Sequence, residues 1–391
     1  MTVWSQQSIA SLGTVTTGST PRTSEEYFYG GDIPFVTPAE LDQIDPITTA
    51  TRTLSESGSR EARLLPEGTV MVCCIGSLGK VGIAGRPVAT NQQINSVVFD
   101  PRRVWPRFGF YACRLLKSKL QTMAPATTVA IVSKSKFERL EIPVPPLAEQ
   151  RRIAEVLDRA EALRAKRRAA LAQLDALSQA IFLDLFGDPM RSCTHCSRPL
   201  SDCAEVVSGI AKGRKLQGRT TVLSPYLRVA NVQAGFLDLS EIKMIEALQS
   251  EVTELRLLPG DVVLTEGGDF DKLGGGAMWE GQIAACIHQN HVFRVRVDPL
   301  LLVPHFFHEY LQTPVARAYF LRCAKRTTNL ASINMTQLRS LPVLLPPLAL
   351  QRDFARRVAA VEKLKTAQRA SLAEMDALFA SLQHRAFRGE L

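Results

Sequence analysis

The sequence lacks most of the signatures that would mark an enzyme or a membrane protein. No Walker-type phosphate loop occurs, because Gly79-Lys80-Val81 has neither the preceding glycine spacing nor a following Ser or Thr. There is no Asn/Asp-Pro-Pro-Tyr/Phe run of an amino-methyltransferase and no carboxylate–lysine cluster of a nuclease. His288/His291 and His305/His308 are i, i+3 pairs without the Glu of a metalloprotease pattern, so packing or surface roles are expected for them. No unbroken apolar run is long enough to cross a bilayer. The first residues, Met1-Thr-Val-Trp-Ser-Gln-Gln-Ser, lack the basic and apolar segments of a secretory signal. The eight cysteines, with Cys73 and Cys74 adjacent, do not form a disulfide framework in a chain of this size. Reduced thiols and a cytoplasmic location are the expectation. Cys193-Thr-His-Cys196 with Cys203 is the one metal-like spacing. A second Cys-x-x-Cys is missing, so a linker without zinc is favoured over a zinc knuckle.

What is present is length, positive charge and repetition. A chain of 391 residues is too long for one ordinary core, so two or more domains are expected. The net charge of +9 is compatible with a polyanionic partner, but it is spread over the chain rather than held in a tail. The repeat is more specific. Pro145-Pro-Leu-Ala-Glu-Gln-Arg151 returns as Pro346-Pro-Leu-Ala-Leu-Gln-Arg352, and without a gap 17 of the 42 positions in 145–186 are identical to those in 346–387. Shared prolines, Gln-Arg pairs and acidic positions make compositional coincidence a poor explanation.

Both copies read as long helices opened by Pro-Pro, where a missing N–H costs least. Apolar residues follow heptad spacing in the first copy at Ile153, Ala160, Leu174 and Ile181, supported by Val156, Leu163, Ala170 and Leu177. The second copy offers Phe354, Val361, Met375 and Leu382, supported by Val358, Leu364, Leu372 and Leu378. At ~1.5 Å per residue each helix spans roughly 60 Å, and such a stripe needs a partner, for which the other copy is the nearest candidate. Arg167 and Gln368 interrupt the stripes at equivalent places. In an antiparallel pair they would meet and fix the register; the alternative is that both reach out to solvent.

The segments before each helix, 1–143 and 189–342 (with 189–197 as a linker), are of domain size, and the helical segments are 144–188 and 343–391. Pro34-Phe-Val-Thr-Pro-Ala-Glu40 corresponds to Pro225-Tyr-Leu-Arg-Val-Ala-Asn231, Leu64-Leu-Pro66 to Leu257-Leu-Pro259, and Asp100-Pro101 to Asp298-Pro299. Strands are expected at Thr69–Cys73, Asn95–Phe99, Asp261–Leu264 and His291–Val297, and helices at Arg107–Gln121 and Pro304–Leu321. The fold class expected is α+β: two mixed α/β domains separated by two long helices, with an internal repeat; that the helices form an antiparallel coiled coil with pseudo-twofold symmetry is what the resemblance described next implies.

The sequence resembles the specificity subunits of type I restriction–modification systems. The resemblance rests on Ile142-Pro-Val-Pro-Pro-Leu-Ala-Glu-Gln-Arg-Arg-Ile153, Leu185-Phe-Gly-Asp-Pro189, Leu345-Pro-Pro-Leu-Ala-Leu-Gln-Arg352 and Ala386-Phe-Arg-Gly-Glu-Leu391. Gly18-Ser-Thr-Pro21 and Asp32-Ile-Pro-Phe-Val-Thr-Pro38 also look like the opening of such a recognition domain. It implies a non-catalytic DNA-binding subunit in which each target-recognition domain reads one half of a bipartite double-stranded target. It further implies that the helices dock two methyltransferase subunits, that restriction subunits join the complex, and that S-adenosylmethionine, ATP and Mg belong to those partners. Two other readings stand beside it: a coiled-coil scaffold for proteins without DNA binding, and a divergent self-contained DNA-modifying enzyme.

Candidate DNA contacts are basic or hydroxyl side chains in glycine-containing loops or in the corresponding segments just before each long helix. In the first domain they are Thr20, Arg22, Lys80, Thr127 and Thr128; in the second, Lys212, Arg214, Lys215, Lys272, Arg326, Thr327 and Thr328. Solvated loops or turn caps are the bland alternative. The spacer and partner-docking candidates are Gln150, Arg151, Ile153, Leu163, Arg167, Leu174 and Leu177, with Gln351, Arg352, Phe354, Leu364, Gln368, Met375 and Leu378 in the second copy.

Overall fold

The computed structural model describes residues 4–124, 129–187, 196–214, 216, 218–233, 235–268, 273–326 and 331–391. Two compact units emerge, Met1–Ala169 with Arg369–Leu391, and Ala170–Gln368. Each therefore holds one recognition segment, half of the first long helix and half of the second.

In the first unit an antiparallel sheet runs in the order Gly13–Thr17, Ile94–Phe99, Val70–Cys73, Val81–Ile83. Beside it, Tyr29–Val36 pairs antiparallel with Arg52–Leu54 and parallel with Ala89–Thr90. The second unit repeats this plan. Its four strands are Ala204–Ser208, Val292–Val297, Val262–Thr265 and Ala277–Met278. Thr221–Leu227 pairs antiparallel with Lys243–Leu248 and parallel with Ile287–His288. The parallel registers place Phe35 and Val36 where Tyr226 and Leu227 stand, so the faint Pro34/Pro225 match in sequence is a true structural equivalence. The Leu-Leu-Pro match is off by one: Leu65 N–H donates to Val88 O and Gly68 N–H to Ala84 O, as Leu257 does to Cys286 O and Gly260 to Trp279 O.

Central strands such as Val70–Cys73 are apolar throughout because both faces are covered. Helix Pro106–Leu115 lays Phe108, Phe110 and Tyr111 on the first sheet, and Pro304–Leu311 lays Phe306, Phe307 and Tyr310 on the second. The single helices expected at 107–121 and 304–321 are each two helices. In the second unit the break falls at Thr313, whose hydroxyl caps Ala316 N–H ahead of Pro314, a residue that cannot continue the preceding hydrogen-bond ladder.

The long helices span Leu147–Phe186 and Leu348–Ala386. Each leaves its domain through the same amide clamp. Gln150 is fully buried; its Oε1 accepts from Trp105 N–H at 2.7 Å, and its Nε2 donates to Arg103 O and Pro145 O, both at 2.8 Å. Gln351 is likewise buried, accepting from Val303 N–H at 2.8 Å and donating to Leu301 O at 3.0 Å and Pro346 O at 2.8 Å. These buried glutamines fasten helix to domain.

The heptad reading also needs correction. Ile153 and Phe354 are buried in their domain cores, but Leu163, Leu177, Leu364 and Leu378 face outward, at 56%, 42%, 53% and 57% exposure. The inward positions keep the seven-residue repeat, with Ile153, Ala160, Leu174 and Ile181 and Phe354, Val361, Met375 and Leu382 all buried or half-buried as expected, but the second position is Leu157, Arg164, Leu171 and Ser178 in the first helix and Val358, Lys365, Leu372 and Phe379 in the second. Leu174, Met375, Arg167 and Gln368 are half-buried. Within the first unit Arg164 bonds Asp376 and Arg152 donates to Leu391 O, so the two helix halves run in opposite directions. Within the second, Lys365 bonds Asp175 while Phe354 meets Phe182 and Phe186, with the same result.

Gln150→Ala should cost about 2–4 kcal/mol, because three bonds are lost and buried backbone groups are left unpaired. Leu163→Ala, at an exposed site, should stay within about 0.5 kcal/mol. Urea unfolding of the two variants checks this, and equal costs would remove the clamp from the account.

Candidate nucleic-acid interface

In each unit one set of backbone bonds gathers four segments of chain. Ser19 N–H donates to Thr90 O and Asn91 N–H to Val36 O in the first unit; Ile210 donates to His288 O and Gln289 to Leu227 O in the second. Ile94 N–H closes a turn onto Asn91 O, as Val292 does onto Gln289 O. Cys74 N–H reaches Gln93 O while Val132 N–H reaches Cys74 O; Glu266 and Ile333 repeat this with His291 O and Glu266 O. Gly18 and Gly209 are glycines because the chain passes hard against the turn. A Cβ would lie 2.2 Å from Asn91 O in one case and 1.9 Å from His288 O in the other.

This framework presents different side chains in the two units. In the first, Thr20 Oγ1 donates to Gln92 Oε1 at 2.5 Å, and Asn91 Nδ2 donates to Gln93 Oε1 at 2.9 Å. Arg22 is exposed nearby. Lys80 is half-buried and donates to Pro38 O at 3.2 Å; with Lys117, Ser77 and Gln121 it lines an open recess of about 350 Å³. In the second unit Asn290 and His291 hold the positions of Gln92 and Gln93. His291 Nδ1 is 2.5 Å from Glu266 Oε2, and Asn290 Nδ2 lies 3.3 Å from His291 Nε2. Lys212 sits over the Tyr226 ring at 5.6 Å.

The predicted contacts fare unevenly. Arg214 grips the Glu251 carboxylate through both oxygens, which lowers the Glu251 pKa and raises that of Arg214 through the same hydrogen bonds. A phosphate would have to displace that carboxylate. Arg326 lies in a short strand against Ala331, and its side chain is outside the described residues. Thr127, Thr128, Lys215, Lys272, Thr327 and Thr328 also lie outside them. The sequence reading missed Gln92, Gln93, Asn290, His291, Glu266 and Lys117. The available signal was Asn91-Gln-Gln and Gln289-Asn-His, a polar triplet before the central strand in both repeats.

Cys203 does not suit a metal knuckle. Its thiol is packed in the second core, where burial raises its pKa to about 11, whereas zinc takes a thiolate. Cys196 is exposed, and Cys193 is outside the described residues.

Residues 1–173 match the family described as "Type I restriction modification DNA specificity domain". The EcoKI specificity subunit of Escherichia coli is 26% identical over 302 residues, which is 72% of this chain and 64% of that protein. The MjaIX specificity subunit of Methanocaldococcus jannaschii is 29% identical over 197 residues, 47% of this chain and 44% of that one. The chain thus spans less than two thirds of the length of these relatives. Among solved structures, the S subunit of a type I restriction–modification system from M. genitalium superposes with a TM-score of 0.57 at 16% identity, covering 98% of this chain and 96% of its own. A chain from a study of type I R-M complex assembly and conformational transition gives 0.59 at 18% identity, covering 100% and 99%. These two superpositions show that the fold is shared along the chain.

The turn also carries a pH-sensitive group. His288 is fully buried, with Nδ1 2.7 Å from Val292 O, and its pKa is pushed down to about 4 by burial. Unfolded, the imidazole takes its proton near pH 6.5, so between pH 6.5 and 4 the unfolded chain binds more protons and stability falls as pH falls. The loss should approach about 3 kcal/mol by pH 4. Comparing urea midpoints of the native chain and His288→Gln from pH 7.5 to 4.5 should show a steeper acid decline in the native chain.

Proposed function

The chain belongs to the family of type I restriction–modification DNA specificity subunits, and from that premise we propose that it reads a bipartite double-stranded DNA target for partner enzymes. The observation that carries this reading is the repeated loop framework. One backbone scaffold offers Thr20, Gln92 and Gln93 in one unit and Asn290, His291 and Glu266 in the other. Two unlike sets of hydrogen-bonding side chains on one scaffold suit two different half-sites, since base edges are told apart by donor and acceptor pattern. Lys80, Lys117, Arg22 and Lys212 supply positive charge near these turns for phosphates, which position a protein without specifying sequence.

In this reading the long helices form one antiparallel, pseudo-twofold spacer that holds the recognition domains a fixed distance apart. A DNA turn of ~34–36 Å sets the scale on which such spacing matters. The outward leucines are its docking points for methyltransferase subunits: Leu163 and Leu378 in the first unit, Leu177 and Leu364 in the second. The first long helix contains an 18-residue window of mean hydropathy 1.3 that is only 17% buried, enough by length and composition to cross a membrane. The same helix carries the ion-paired Asp175 and the glutamine clamp, and a protein partner covers such a face without stripping those charges of their pairs. Methyl transfer and cleavage, with S-adenosylmethionine, ATP and Mg, reside in the partner subunits, and the complex works in the cytoplasm.

Sequencing of modified bases in a host with and without the gene tests the function. A bipartite motif should vanish with the gene, and a methylome that stays the same while the partner subunits are expressed would sink the proposal. Leu163→Lys with Leu378→Lys should weaken capture of the methyltransferase subunit by about a hundredfold, because two apolar side chains lose their burial. Binding curves for the purified subunits measure this, and unchanged capture would move docking elsewhere.

A further inference from the structure

The two helix pairs contain the same charge triad. In the first unit Arg164 lies 2.7 Å from Glu161 on its own helix and 2.5 Å from Asp376 on the other. In the second, Lys365 lies 2.5 Å from Glu362 and 2.8 Å from Asp175. Arg164 and Lys365 are equivalent in the 201-residue repeat, as are Glu161 and Glu362, and Asp175 and Asp376. Each triad thus takes a glutamate and a cation from one copy and an aspartate from the other.

Their setting makes them directional. The side chains of Arg164 and Lys365 are only 14% and 10% exposed, deep for cations between two helices. Arg164 also lies over the Phe379 ring at 4.5 Å, which leaves one face of the guanidinium out of water. Burial opposes the charge on Lys365, yet the bonds to Asp175 and Glu362 outweigh it and hold the amine above its ordinary pKa. The apolar side chains beside them, such as half-buried Leu174, Leu372 and Met375, make non-directional contacts that define register less sharply. A buried cation has one position at which both carboxylates are met, and a displaced register takes the aspartate away and leaves it with the glutamate of its own helix alone.

We propose that the Glu161–Arg164–Asp376 and Glu362–Lys365–Asp175 triads are register locks that fix the gap between the two halves of the DNA target. The four charged groups that cross between the helices are positioning residues: they touch no base, yet they decide where the recognition domains are held. This inference rests on the specificity-subunit reading for its DNA consequence, while the register itself is a property of the chain alone.

The test uses the full chain in complex with its methyltransferase partner and a pool of randomised duplexes. The native complex should select two half-sites at one gap. Asp175→Asn with Asp376→Asn should select the same half-site letters at a spread of gaps, with preference for the native gap over its neighbours reduced about tenfold. Exchanging the cations, Arg164→Lys with Lys365→Arg, should keep the single gap, because the two copies already use either residue. In parallel, nitroxides at positions 163 and 378, in a background freed of reactive cysteines, report register in the free chain. Their distance distribution should be narrow in the native chain and gain a population displaced by about one helical turn, ~5 Å, in the Asn variant. An unchanged gap together with an unchanged distance distribution would overturn the inference. Native protein that selects no motif, with a displaced population in the variant, would uphold the locks and defeat the specificity reading instead.

Discussion

Everything outward of each recognition domain depends on one buried primary amide. A helix that starts beside a domain is free to swing unless its first turn is tied down, and hydrophobic contact alone is too tolerant to tie it. Gln150 and Gln351 meet three backbone groups each, two from the helix-side loop and one from the chain turning into its own Pro-Pro entry. A carboxylate cannot do this, because it has no donor for the two carbonyls, and a leucine would leave all three groups unpaired in a dry site. The prolines complete the elbow by fixing φ where no N–H is needed. The direction in which each helix leaves its domain is thereby set within a few residues.

Beyond the elbow the helices use their faces in an unusual way. Where each half packs on its domain, the inward side chains are apolar: Ile153 and Leu157 in one, Phe354 and Val358 in the other. Away from the domain cores the inward face sets the paired cations Arg164 and Lys365 among half-buried Leu174, Leu372 and Met375, while Leu163, Leu177, Leu364 and Leu378 turn out. An apolar seam would be more adhesive, since replacing a buried ion pair by hydrophobic residues is often neutral or stabilising. Charges at that place therefore contribute definition more than adhesion. Exposed leucines on a long helix are costly to solubility in isolation, and that cost is offset when a partner covers them.

Most of the architecture was legible in the sequence because it rests on strong local signals. The Pro-Pro starts, the uninterrupted helical runs and the central strands at Val70–Cys73 and Val292–Val297 are dictated by proline chemistry and by burial on both faces. The facing of the helices was not legible, and the reason is physical. Heptad counting finds apolar residues, but it cannot tell which of two neighbouring stripes is buried in the fold, and Leu163 and Leu364 stand on the exposed one. Gln150 and Gln351 stood out as repeated polar residues, and polarity suggested the surface. Only their neighbours reveal that each is saturated by backbone. Likewise Arg214 looked like a free cation in a basic loop until Glu251, 37 residues away, was found holding it.

The candidate interface was the least legible part, because it divides labour between backbone and side chain. The backbone of the two turns shares five bonds, from the Ser19/Ile210 contact to the Val132/Ile333 contact. That identity can persist through sequence drift, since main-chain bonds constrain conformation rather than residue type, apart from the close approach that demands Gly18 and Gly209. The side chains on the turn are under no such constraint. Thr20 and Gln92 pair a hydroxyl with an amide, whereas His291 and Glu266 pair an imidazole with a carboxylate. A scaffold that fixes position while leaving chemistry free is what a reader of two unlike half-sites requires. It also explains why basic residues alone were a poor guide: phosphates ask only for charge, and charge tolerates many placements. Discrimination needs amides, imidazoles and hydroxyls held at defined angles, and the turns before the central strands hold side chains of those kinds.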